Sequence, residues 1–414
     1  MFEFKLIIRN KKWFLIFFLV LVWYLQSKIP LWRGHLEIDV WDYYNTISLF
    51  LKNQSFASLK GNEILPGGLL FFLFPLLLSI NNFTYLNFLN SFVVLNLILL
   101  LLHFLVYEKN LSYFKLFPFL LILLVSGPIL LFRFELFVSL IVILSILFWQ
   151  KKRFFLSVLL LGIATTIKLY PIFFLPYFLY LGFINFKKEK QLTSTFFLLV
   201  YFFLGALLPL FIFTVFGGRI EQFIYSLSFH SEKPLSIESI FGSIFIIFNL
   251  ALKGMPPPLL GTHGLWGLNW SSVKPQWLNL VSLFPLGFLY FYIFFKTKIK
   301  RQLSGSILFL IILFSLVFSK NLHPQYFFWF IFLMPFIKTK KGREIEFFKI
   351  SFLVLITILL TQCLYPLLYT QLIEGFFKDG RGIEIFYLLL LRNISFLTLV
   401  IFSFHLIGVK KNLE

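Results

Sequence analysis

The chain has 414 residues, 59% of them hydrophobic and 13% charged, and its 37 Lys and Arg against 17 Asp and Glu give a formal charge of +20. This composition excludes a soluble globular domain and fits a polytopic membrane protein. The basic residues fall mostly in short runs between apolar spans, as cytoplasmic loops require under the positive-inside rule, so they do not point to nucleic acid. Cys363 is the single cysteine, which excludes an intramolecular disulfide and argues against a cysteine metal site.

Residues 1–30 pair basic residues with an apolar run and no small-residue cleavage site, the pattern of an uncleaved signal anchor. Apolar stretches then recur at 66–80, 84–106, 116–131, 134–150, 154–167, 171–185, 195–215, 238–252, 278–295, 304–319, 325–338, 347–369 and 384–407. A spanning helix needs about 20 residues, so several of these must be broken, tilted or re-entrant. The expected fold is all-α: a single integral membrane domain over 1–414 with about 10 to 12 crossings, and with residues 31–65 as the first extracytoplasmic loop.

The basic runs Lys5 to Lys12, Lys151-Lys152-Arg153, Lys187-Lys188, Lys296 to Arg301, Lys338 to Arg343 and Lys410-Lys411 are assigned to the cytoplasm, which puts both termini there. An even number of crossings is then required between successive basic runs. The 66–80 segment, opening on Pro66-Gly67-Gly68, and the 238–252 segment are the ones expected not to cross fully. The polar interruptions collect on the opposite, extracytoplasmic face: Glu37/Asp39/Asp42, Arg133-Phe134-Glu135, Lys168, the 217–239 loop, Lys320 to Tyr326 and the 374–384 loop.

Lys168 sits between two apolar half-stretches in "GIATTIKLYPIFFLP". A charge at a helix centre costs about 2.5 to 3.5 kcal/mol on insertion scales, so Lys168 either has a partner or function, or snorkels from a helix end set by Pro171. His230 opens "FHSEKPLSIESIFGS", where Ser236 or Ser239 is suited to cap the helix that follows. In "SKNLHPQYFFWFIFLMPF" Tyr326 and Trp329 suit an interfacial belt, whereas Lys320 and His323 are each able to donate to a phosphate.

Four of these pieces, in order, resemble a known family. "DVWDYY", "IKLYP", "FHSEKPLSIES" and "HPQYFFWFIFLMP" are similar to the polytopic glycosyltransferases of family 87, mannosyltransferase-like members of the GT-C superfamily, from about residue 15 to residue 340. The resemblance implies an aspartate base in the first extracytoplasmic loop, matched by Asp39, four residues before Tyr43, with Asp42 as competitor. It carries the "IKLYP" lysine over to Lys168 and the loop pattern to His230, Glu238 and Ser239. The chain departs from the pattern at Lys233, where Arg is expected, and at His323, where Ser commonly stands.

What the resemblance implies is transfer of a sugar such as mannose from a polyprenyl phosphate to an extracytoplasmic lipid or glycan acceptor at the cell membrane, with inversion at the anomeric carbon. Such a reaction needs a base for the acceptor hydroxyl and cations for the departing phosphate. Asp39 answers the first need. Lys168, Lys320, His323 and Arg219 answer the second, with Tyr43, Tyr170, His230, Glu238, Gln325 and Tyr326 as further substrate contacts. No cofactor is demanded and no metal site is expected, since basic residues can neutralise the leaving group. The alternative is a lipid-linked glycan polymerase or flippase, which binds the same lipid phosphate but does not need one indispensable carboxylate. A secondary transporter would show internal repeats and acids at mid-membrane, and the chain shows neither.

Overall fold

The computed structural model describes residues 2–58, 63–107, 112–186, 188–262, 265–269, 274–296, 302–338 and 344–408. The protein is an all-α polytopic membrane protein. Among the described residues, the helices Tyr85–Tyr107, Gln191–Val215, Pro275–Phe295, Glu344–Leu367 and Ile383–His405 are long and apolar enough to cross a bilayer. Shorter apolar helices fill the gaps, including Glu135–Gln150, Phe154–Ile167 and Gly305–Val317. The expected loop at 31–65 is instead largely one helix, Pro30–Asn53, begun by a proline in its first turn and ended at Gln54 in the left-handed conformation. The 66–80 segment is a pair of short helices, Pro66–Phe71 and Leu73–Ser79, parted at Phe72.

The shortness of the central helices comes from breaks that carry polar residues. The helix Tyr113–Leu131 stops, and Glu135–Gln150 starts, across Phe132, Arg133 and Phe134. The carbonyls that such a break releases need partners away from water, and buried Asn96 supplies them, donating to Leu131 at 2.9 Å and Arg133 at 3.0 Å. A second break follows Phe154–Ile167, where Lys168 turns extended before the Tyr170–Phe174 turn. A third runs from Phe318 to His323, between Gly305–Val317 and the Pro324–Phe327 turn.

Three short antiparallel strands, β1 (Leu235–Ser236), β2 (Leu259–Thr262) and β3 (Leu265–Leu268), pair in the order β1-β3-β2. With the segment Gln371–Lys378 and the helices Ile240–Lys253 and Ile383–Gly408 they form a cap. The cap has its own apolar cluster, with Leu235, Leu268, Ile246, Leu372, Phe376 and Phe386 at its centre, separate from the main core. A backbone hydrogen bond from Ser236 N to the Lys320 carbonyl, 3.0 Å, ties β1 to the third break.

The helices Phe154–Ile167 and Gln191–Val215 touch through glycine. A Cβ on Gly162 would stand 2.0 Å from the Phe202 carbonyl oxygen, and one on Gly205 would stand 2.0 Å from that of Leu159. Small residues let backbones approach this closely without water. Gly162→Ala and Gly205→Ala should each lower stability by about 1 to 3 kcal/mol, the usual cost of overpacking. Thermal unfolding in detergent checks this, with Gly287→Ala as the control, because a Cβ there meets nothing within 4 Å.

Candidate active site

The three breaks, the segment before Pro66 and the cap enclose one cavity of about 670 Å³. Asp39, Tyr43, Lys168, Tyr170, His230, Glu238, Lys320, His323, Gln325 and Tyr326 all line it. Arg219 does not. It is exposed at the start of the helix Ile220–Glu232, and its backbone N–H donates to Gln222 Oε1 at 2.7 Å. Asp42 is exposed and does not line the cavity either.

Asp39 is bound to the guanidinium of Arg133, through Oδ2. Arg133 is buried at the first helix break, and its charge also reaches the Tyr43 and Tyr365 side chains. It therefore fixes the carboxylate against two aromatic walls. Tyr43 is itself held by stacking on Phe72, ring centroids 4.3 Å apart.

Lys168 has a partner that the sequence did not disclose. Its Nζ stands 3.0 Å from Oε1 of Glu135, whose side chain is 1% exposed, and 4.4 Å from the centre of the Phe134 ring. Glu135 heads its helix, where the helix dipole favours a negative charge, but neither of its oxygens has a hydrogen-bond partner among the described residues. Lys168 is the group that compensates it.

Lys233 pairs with Glu63 at 2.8 Å, and His230 Nε2 lies 3.1 Å from the Glu63 carbonyl. Burial alone would raise Glu63, but Lys233 beside it, with His230 and Lys168, holds its carboxyl below the usual range. Burial and the charge of Lys233 push His230 down to about 4, so its imidazole is neutral at physiological pH and acts as a polar contact. His323 Nδ1 faces Glu238 at 3.6 Å, and the Glu238 carbonyl accepts from buried Arg392 at 2.7 Å. Ser239, not Ser236, caps the following helix, accepting from Gly242 N at 2.8 Å.

Lys320 differs from these. Its Nζ donates to the Ser231 carbonyl at 2.7 Å and the Pro275 carbonyl at 3.3 Å. Among the described cations lining the cavity, it alone is held by backbone carbonyls and no carboxylate. Burial and Lys233 push it down to about 8.

Tyr326 and Trp329, which by sequence suit an interfacial belt, both line the cavity. Trp329 stacks on Tyr326 at 4.2 Å and on Tyr170 at 4.5 Å, forming a three-ring wall. The indole N–H of Trp329 is buried without a partner among the described residues. Arg133, Glu135, Glu63, Trp266, Tyr365 and Tyr369 were not singled out as site residues by sequence reasoning, although Arg133 and Glu135 stood out as charges between two apolar runs.

The sequence profile of glycosyltransferase family 87 matches residues 66–320, well over half the chain. The chain belongs to glycosyltransferase family 87. No curated protein and no solved structure matches it. The family 87 match takes in Arg133, Lys168, Lys233, Glu238 and Lys320, while Asp39 and Glu63 precede it and His323, Trp329 and Tyr365 follow it.

The Glu135 pair sets the outcome of removing Lys168. Lys168→Met leaves a buried carboxylate without its counter-charge and should destabilise by about 3 to 5 kcal/mol. Lys168→Met combined with Glu135→Gln should regain most of that stability. Thermal unfolding of the two variants in detergent measures both effects.

Proposed function

We propose that this glycosyltransferase moves a sugar from a polyprenyl-phosphate donor to a hydroxyl on the extracytoplasmic face, with Asp39 as base. The observation that carries this reading is the meeting in one cavity of a fixed carboxylate, Asp39, with a cation that no carboxylate neutralises, Lys320. A base and an anion site are the two requirements of displacement at an anomeric carbon bearing phosphate.

In this mechanism Arg133 holds Asp39 Oδ2, and Oδ1 receives the acceptor proton as the acceptor oxygen bonds to C1 of the sugar. The bond from C1 to the phosphate oxygen breaks on the opposite side, which inverts the anomeric centre. Negative charge grows on the departing phosphate, where Lys320 and its neighbour Lys233 are strongest as partners because the bond forms against developing charge. Lys168, 22% exposed, turns part of its charge to the same space. The rings of Tyr170, Trp329 and Tyr326 offer apolar faces for the sugar, and the unpartnered Trp329 N–H offers a donor to one of its hydroxyls.

Asp39→Asn keeps the size of the side chain and removes the proton acceptor. Transfer should fall by about 10²-fold or more with donor binding largely retained. In cells, mass analysis of envelope glycolipids from the Asp39→Asn strain should show the same missing single sugar as a deletion. Loss of whole repeat units would favour a polymerase or flippase, and full activity would remove Asp39 as base.

The charge of Lys320 gives the reaction an alkaline limit. A lysine pushed down to about 8 is cationic below that pH and neutral above it, so kcat/KM, which reports the free enzyme, should fall as pH rises through about 8. Lys320→Arg should move this limb upward by more than one pH unit, since arginine stays charged throughout.

A further inference from the structure

Glu63 takes no part in the mechanism above, yet it stands where the cavity's basic groups converge. Its carboxylate, 46% exposed, lines the cavity and binds Lys233, whose side chain is only 8% exposed. His230 touches the Glu63 backbone, and the charge of Lys168 also reaches the carboxylate. The charge of Lys233 in turn reaches Lys320. Glu63 is thus an anion placed among the cations to which the mechanism assigns a phosphate.

A phosphomonoester carries up to two negative charges and makes charge-assisted bonds to lysine of the same kind that a carboxylate makes. Two anions on the same buried lysine repel each other, and a buried lysine without either is left uncompensated. The two therefore bind as alternatives.

We propose that Glu63 is the resident counter-ion of the leaving-group site: the donor phosphate displaces it from Lys233, and its return to Lys233 expels the phosphate product. This rests on the reading of the donor as a lipid phosphate. It makes Glu63 a positioning residue whose effect on binding is opposite in sign to that of a structural clip. Removing a clip weakens ligand binding, whereas removing a competing anion strengthens it.

The probe is farnesyl phosphate, a soluble prenyl phosphate without sugar, titrated calorimetrically into the full-length protein in detergent. Glu63→Gln should bind it roughly tenfold more tightly than the parent, and Lys233→Met should bind it more weakly whether or not Glu63 is present. In turnover, Glu63→Gln should lower KM and kcat together, because product leaves more slowly. Glu63→Asp keeps the charge but withdraws it by one methylene, and should give an intermediate gain; it serves if the Gln variant does not fold. Unchanged or weaker binding in the folded Gln or Asp variant overturns the proposal. If the parent binds farnesyl phosphate, and Lys320→Met weakens that binding while Glu63→Gln does not tighten it, only the role of Glu63 fails. If no form binds it, the phosphate-donor reading fails as well.

Discussion

A charge carried into the apolar interior of this protein must meet a counter-charge or a ring of carbonyls, and that demand governs where its helices break. Arg133 lies at one break and takes Asp39 from a different helix; Lys168 lies at a second and takes Glu135 from beside the first. Lys320, at the third, is held by the carbonyls of Ser231 and Pro275. The breaks themselves create unsatisfied backbone groups, and Asn96 shows how they are met: one amide serves both carbonyls of the first break. Each interruption of regular structure is thus held by polar pairing. The polar pairing in turn places the charged side chains around a common space.

That arrangement explains which parts were legible in the sequence. Lys168 stood out because it interrupts a hydrophobic run, and Lys320 and His323 because they stand just before one, local signals that need no knowledge of the fold, whereas Asp39 as base and Glu238 came from the family resemblance. Partners were not legible, because pairing is a property of the folded chain. Nothing local links Arg133 to Asp39 or Glu63 to Lys233. Lys168 read as a residue with a partner or function or as one that snorkels; it has a partner, Glu135, whose identity the sequence did not disclose. Arg219 looked equivalent to the lysines by charge and by loop position, yet its helix turns it to solvent. The segment 31–65 was expected as a loop, but packing of Val40, Tyr43 and Ile47 into the core supports the helix Pro30–Asn53 there.

The match to glycosyltransferase family 87 ends at Lys320, but the site does not. Trp329 and Tyr326 complete the ring wall, and Tyr365 and Tyr369 line the cavity as well. The cap draws its apolar cluster from both sides of that boundary, with Leu235 and Leu268 packed against Leu372, Phe376 and Phe386. Charge and backbone geometry inside the matched region therefore depend on packing supplied from outside it. Family membership alone identifies the chemistry and leaves this dependence unseen.

The hydrogen bond from Arg392 to the Glu238 carbonyl makes the cavity depend on a helix that does not line it. Arg392 belongs to the helix Ile383–Gly408, none of whose described residues lines the cavity. Without that helix, Glu238 would lack its buried anchor and the cap would lack Phe386. The site is thus sensitive at a distance: a substitution at Arg392 or Phe386 disturbs the support of Glu238 and of the cap without touching the space the cavity encloses.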